Sequence, residues 1–206
     1  MQPLTRLLQV RERRPKGPSP TFERAHLLLA FLTIGESRTI GRHSLAVRAG
    51  LGEGAVRTVL KRLREEGFAD ADASGCHLTR GGQMAYSSLT KKLSPMAAIE
   101  GSRLTMGEAQ VAVSVRGAGN AVKRGIEQRD SAIGVGAAGA TTYVVRGSRF
   151  TIPGGSDDCE KDFPSRAWTA LRKQLKPKDG DAVILCGSNR EETAMLGVLS
   201  AALTLL

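Results

Sequence analysis

Glu53, Arg57, Thr58, Lys61 and Arg62 fall within one stretch in which Val56, Val59, Leu60 and Leu63 recur at helical spacing. An apolar stripe on one side of a helix leaves these polar side chains to the other side. Such a face suits a polyanion. A guanidinium forks onto the acceptors of guanine, a carboxylate accepts from the cytosine amine, and further cations neutralise phosphates. The N-terminal end of a helix in the major groove reaches deepest, so Glu53, Arg57 and Thr58 are the candidate base-edge contacts. Lys61, Arg62, Arg42 and Arg48 suit phosphates, and His77 is the candidate cation of the loop around Ser74 and Gly75. The same pattern also describes an ordinary helix with a solvated charged face, packed by Val56, Leu60 and Leu63. Glu65 and Glu66 oppose a polyanion, at the end away from the groove.

These side chains need a scaffold, and the surrounding sequence predicts one. Residues 1–20 combine Arg11, Arg13, Arg14 and Lys16 with Pro15, Pro18 and Pro20 and read as a flexible basic arm. Phe22, Ala25, Leu28, Leu29 and Leu32 predict a helix over 21–34 with Gly35 as its stop. A β-favouring snippet at 37–40 and a short helix at 44–49 with Leu45 and Val47 follow. Gly50, Gly52 and Gly54 mark the turn before the basic helix, which Gly67 closes. Residues 68–79 predict a hairpin with its tip at Ala73-Ser74-Gly75, and 82–93 a further helix.

At this point the chain resembles a known family. G-A-V-R-T-V-L-K-R-L-R-E-E-G-F (Gly54 to Phe68) followed by L-T-R-G-G (Leu78 to Gly82) is similar to the recognition helix, wing and post-wing helix of archaeal and bacterial winged-helix transcriptional regulators. The likeness covers about residues 20–93 and implies double-stranded DNA as partner. R-D-S-A-I and G-A-T-T, around Arg129 to Thr142, extend the resemblance to archaeal regulators in which this domain precedes a C-terminal domain of unknown function. That extension implies no established ligand.

The second half has a different grammar. Pro95, Gly101 and Gly107 predict a linker at 95–107 between a domain at 21–94 and one at 108–206. Strands at 110–115, 141–145, 149–152 and 182–186 and helices at 120–135, 163–175 and 189–205 give the order β-α-β-β-α-β-α. The fold class expected is therefore α+β: an N-terminal winged helix-turn-helix, then a ferredoxin-like βαββαβ sandwich with one added helix and helices on one face of its sheet. A Rossmann-like arrangement is the alternative. Gly134 to Gly139 matches G-x-G-x-x-G, but a helix precedes it and a strand follows, the reverse of a dinucleotide loop.

Two strand-to-helix turns are candidate anion sites for a small effector: Gly117-Ala118-Gly119-Asn120 and Gly187-Ser188-Asn189, where backbone N–H groups could meet a carboxylate or phosphate. Their plain readings are an Asn120 N-cap and a Ser188/Glu191 capping box. Arg129 and Asp130 form either a binding pair or a surface ion pair. Asp157, Asp158, Glu160 and Asp162 lack a calcium-loop spacing and read as a solvated acidic loop. Trp168 is expected in the core. Met195, Leu196, Val198, Leu199, Leu203, Leu205 and Leu206 make the last helix either a dimerisation surface or fully buried in its own domain.

Composition narrows the classes. Of 206 residues 41% are hydrophobic, and no apolar run approaches the roughly 18 residues of a membrane span. No sequence of secretory-signal type opens the chain, so a cytoplasmic protein is expected. Three cysteines without a C-x-x-C pair argue against a disulfide framework or structural zinc. All three histidines precede residue 95 and no catalytic motif occurs, so neither an enzyme nor a cofactor is expected. The net charge of +10 is uneven: residues 1–95 carry 16 basic and 8 acidic side chains, residues 96–206 carry 14 and 12. The function these readings favour is a sequence-specific DNA-binding transcriptional regulator, a homodimer with a ligand-sensing second domain. The alternative is a winged-helix protein-interaction or RNA-associated module of the transcription or translation machinery.

Overall fold

The computed structural model describes residues 3–9, 24–100 and 102–206. The chain divides into two compact units, Met1–Leu89 and Thr90–Leu206. The basic cluster Arg11 to Lys16 lies outside the described residues.

In the first unit, Pro3–Leu8 forms α1 with Leu4 and Leu7 buried. The expected arm is thus helical at its start: Arg6 lies 5.3 Å over the Phe68 ring and donates to the Glu66 carbonyl at 2.5 Å. Leu4, Leu7 and Leu8 supply the i, i+3, i+4 spacing that docks so short a helix. α2, Arg24–Ser37, is apolar nearly all round and is the central helix, packed on α3 (Arg42–Ala49) and α4 (Glu53–Glu65). It runs through Gly35 instead of stopping there. A Cβ on Gly35 would lie 2.4 Å from the Tyr86 ring, so this glycine permits close packing and is not a cap. Gly50, at φ 63°, does cap α3 in the left-handed region. Val47 is 62% exposed, outside the apolar face assumed for α3.

β1 (Thr39–Ile40), β2 (Ala69–Asp72) and β3 (Gly75–Leu78) form an antiparallel sheet with β3 in the centre, pairing Thr39 with His77 and Asp70 with His77. A Cβ on Gly75 would meet the Ile40 carbonyl at 2.8 Å, so glycine is needed where β1 crosses the hairpin. α5, Arg80–Lys92, follows.

The second unit holds a five-stranded antiparallel sheet in the order β4-β5-β8-β6-β7. Its strands are β4 (Ala97–Ala98), β5 (Ala109–Val115), β6 (Gly139–Arg146), β7 (Arg149–Thr151) and β8 (Ala182–Ser188). The stretch 95–107, expected as a linker, thus supplies an edge strand. Its helices are α6 (Ile126–Gly134), α7 (Cys159–Asp162), α8 (Ala167–Leu175) and α9 (Glu191–Leu203), with a short 3-10 turn at Gly119–Ala121.

The α+β class and the antiparallel sheet agree with expectation, which removes the Rossmann-like alternative. The ferredoxin-like order does not hold. That order inserts the return strand of the β6–β7 hairpin between β5 and β6, whereas here the last strand, β8, takes the gap and β7 lies at the edge. Helices also cover both faces. α8 packs Trp168, Leu171 and Leu175 against Tyr143, Val145, Val183 and Leu185, while α6 and α9 cover the other side. Burial on both faces explains why β8 is an unbroken apolar run and not an alternating one.

Two expected helices start late. Gly125, at φ 75°, separates the 3-10 turn from α6, and the helix expected over 163–175 begins only at Ala167, because Phe163 precedes Pro164 and a residue before proline avoids helical backbone. α9 is buried through Ala194, Leu196, Val198, Leu199, Ala201 and Ala202, while Met195, Leu203, Leu205 and Leu206 are half-buried. Among the described residues no helix is long and apolar enough to cross a membrane.

Candidate nucleic-acid interface

Val56, Val59 and Leu63 bury one side of α4 and leave Arg57, Lys61 and Arg64 exposed at i, i+4 and i+7. Arg42, in the first turn of α3, joins them. The four cations, with Leu60 and the start of β2, enclose a depression of about 210 Å³. Arg42 and Arg57 make no hydrogen bond or ion pair among the described residues. Lys61 Nζ reaches only 4.0 Å from Glu65 Oε1, and Arg64 Nε lies 3.0 Å from Asp70 Oδ1. Acidic Glu53 in the first turn and Arg62 and Arg64 in the last complement the helix dipole.

The remaining expected contacts divide. Glu53 is exposed and lies 3.6 Å from His43 Nδ1. Thr58 Oγ1 donates to the Gly54 carbonyl at 3.1 Å, which occupies its proton but leaves its lone pairs. Arg62 is half-buried and already partnered. Arg48 donates to Ser37 Oγ at 2.9 Å, away from the depression, and its charge partly offsets the burial that raises the Glu36 pKa.

His77 sits on the central strand, not at the hairpin tip, with Nδ1 3.8 Å from Asp72 Oδ2. At the tip Asp72 accepts from Ser74 Oγ at 2.5 Å and Ser74 N at 2.8 Å, and those bonds hold its carboxyl below the usual range. The hairpin is therefore acidic, with Asp70 and Asp72 on it. The sequence signals for Arg64 and Asp70 were present, since Arg64 lies seven residues after Arg57, but their pairing depends on where β2 returns. Cys76 is buried, which pushes its thiol pKa up despite Arg42, and the described residues hold no cluster of three or more His, Cys, Asp or Glu placed for a metal.

In the second unit, the first expected anion turn spends its glycine donors internally. Gly117 N donates to Asp181 Oδ1 at 2.9 Å and Gly119 N to the Gly180 carbonyl at 2.8 Å, while Asn120 belongs to a three-residue 3-10 turn. Asp181 is buried and also accepts from Lys178 N at 2.8 Å, so it is the carboxylate that organises this turn. Ser188 is a buried strand residue paired with Ala109. Arg190, not Ser188, is the N-cap of α9, and Asn189 is exposed between them. Arg129 makes two bonds of 2.9 and 3.0 Å to Asp130 Oδ1 on the surface of α6, a local ion pair. In the acidic loop Asp158 caps α7, and Glu160 holds Arg172 by bonds of 2.7 and 3.0 Å. Trp168 is in the core, stacked on Phe150 at 5.1 Å, with Nε1 donating to the Phe163 carbonyl at 2.9 Å.

Residues 106–205 match a family described as a domain of unknown function, DUF4443. The matched segment contains every strand of the second sheet except β4. The chain is similar to the solved structure of the hypothetical protein PH0730 from Pyrococcus horikoshii OT3, with a TM-score of 0.72 and 24% identity over 89% of this chain and 92% of that one. At that identity the likeness speaks for the fold. No curated protein matches the chain.

Proposed function

We propose that the protein is a sequence-specific DNA-binding transcriptional regulator of the cytoplasm. Its first unit is a winged helix-turn-helix with α4 as the recognition helix, and its second unit serves dimerisation or ligand sensing. One observation carries this reading: Arg42, Arg57, Lys61 and Arg64 converge on the exposed side of α4, and Arg42 and Arg57 have no competing ion pair among the described residues. Four adjacent cations repel one another, and the arrangement is favourable once a polyanion neutralises them and releases counterions. The order α2-β1-α3-α4-β2-β3-α5 also suits a helix presented to a groove with a hairpin beside it. The acidic hairpin makes α4 and α3, not the wing, the source of affinity. A homodimer follows from the reading because one short helix gives modest affinity, and paired half-sites multiply it.

The test is binding to duplex DNA selected from a random pool, measured over a range of salt. Arg57→Ala relaxes preference at one base position, whereas Lys61→Ala weakens all duplexes alike and lowers the salt slope by about one. Equal binding by both variants and the parent overturns the reading, and preference for single-stranded RNA replaces it with an RNA-associated module.

A further inference from the structure

The second unit has a cavity of about 710 Å³ beside β6, within the usual range of about 300–1,000 Å³ for small-molecule sites. It exists because α8 covers only part of its face of the sheet. Val145 and Val183 lie under α8, but Thr141, two residues before Tyr143 on the same side of β6, faces the open space. Leu104 and Ile152 form apolar walls continuous with the core, and Tyr143 forms the floor. Phe163, 51% exposed, stands at the rim.

The walls are built, not incidental. Thr141 Oγ1 donates to the Leu104 carbonyl at 3.0 Å, Trp168 Nε1 fixes the Phe163 carbonyl at 2.9 Å, and Ala167 N donates to Ser165 Oγ at 3.2 Å. Two guanidiniums complete the lining, Arg103 and Arg166. Both are exposed, and neither has a hydrogen bond or ion pair among the described residues. Arg172, on α8, is by contrast engaged by Glu160 and the Ser148 carbonyl. Among the described residues no Asp, Glu, His or Cys lines the cavity. The lining therefore offers positive charge and apolar surface with neither a competing carboxylate nor an acid or base for chemistry.

The geometry points to a binding site for a small organic anion with an aromatic body, its oxyanion held by Arg103 and Arg166 and its ring on Tyr143, Leu104, Ile152 and Phe163. Guanidinium is the cation suited to this, being planar, weakly hydrated and able to fork onto a carboxylate or phosphate. The site rests on the second unit alone and stands or falls independently of the DNA reading.

Trp168, the sole tryptophan, lies 5.0 Å from the Tyr143 ring, so its fluorescence reports on the cavity. The full chain is titrated with phenylacetate, phenyl phosphate, phenylacetamide and inorganic phosphate, by tryptophan emission and by calorimetry, to about 10 mM. Phenylacetate or phenyl phosphate, whichever headgroup the guanidiniums favour, saturates. The neutral amide and the bare anion bind about tenfold or more weakly. Arg103→Ala and Arg166→Ala each weaken the binding anion about fivefold or more, with Arg103→Lys recovering part, and Phe163→Ala weakens aryl anions without affecting inorganic phosphate. Melting temperatures of the variants equal to the parent's show that the fold is intact. Amide binding equal to the acid, inorganic phosphate binding equal to the aryl anions, undiminished binding in the double arginine variant, or no saturation by either aryl anion overturns the proposal.

Discussion

Arg64 Nε lies 3.0 Å from Asp70 Oδ1, so the last cation of the α4 stripe is held by the strand that returns past it. The pair is exposed on both sides and worth little to stability, about 0–1 kcal/mol. Its consequence is electrostatic: one of the four converging cations arrives at a polyanion already paired. Asp70→Asn releases it. The asparagine oxygen can still accept from Ala71 N, which Asp70 Oδ1 now does at 2.8 Å. The variant is expected to bind duplex DNA several-fold more tightly, with the salt slope steeper by up to about one phosphate contact. Titration at several salt concentrations checks this, and an unchanged slope would remove Arg64 from the interface.

Gly54 occupies the exposed side of the first turn of α4, where an added Cβ meets nothing within 4 Å. Glycine inside a helix costs roughly 0.5–1 kcal/mol relative to alanine. No packing in the first unit requires that cost. Gly54→Ala should therefore raise the melting temperature while weakening duplex binding, because the methyl group stands where α4 would approach the DNA backbone or base edges. Thermal melts and binding assays on one preparation separate the effects. A stabilised variant with unimpaired binding would mean the helix start does not approach the ligand.

Burial holds the His26 imidazole below its ordinary 6.5. The unfolded chain then takes up a proton before the folded one, so stability is full above 6.5 and declines as pH falls below it. Glu36 works the other way. Burial raises its carboxyl above the ordinary 4.5, so its ionisation costs stability as pH rises through that region. Comparing His26→Gln with the parent isolates the histidine: the stability gap should depend on pH between about 5 and 7, with the parent losing ground as acid is added. Urea melts at several pH values test it, and parallel profiles would show that His26 does not titrate on unfolding.

The elements were largely legible, the sheet order was not. Apolar periodicity marks α4 and α8 because each buries one face, and Gly50 announces its left-handed cap. What failed was what needs three dimensions. Gly35 reads as a stop in one dimension and proves to be a contact with Tyr86. Nothing local tells β8 to enter between β5 and β6. Its unbroken apolar run does say that both faces are covered, a signal that an expectation of helices on one face passed over. The same limit governs the candidate sites. Arg57 and Lys61 stand where helical spacing puts them, whereas the union of Arg42 with Arg64, and of Arg103 with Arg166, depends on chain returns that spacing does not encode.

Gly197 shows how closely α9 is applied to the sheet. A Cβ there would lie 2.5 Å from Cys186 Sγ and 2.8 Å from the Ala137 Cβ, inside any real contact distance. The thiol is wholly buried, and burial pushes its pKa up to about 12, so it acts as a packing group. Gly197→Ala should cost about 1–3 kcal/mol by overpacking, offset partly by the helix propensity of alanine. Cys186→Ala removes the nearer obstacle at the cost of a small cavity. The double variant should be less destabilised than the two single effects combined, a coupling that a double-mutant cycle reads directly. Additive effects would mean that α9 shifts as a body to admit the methyl group, and that Cys186 does not set its distance from β8.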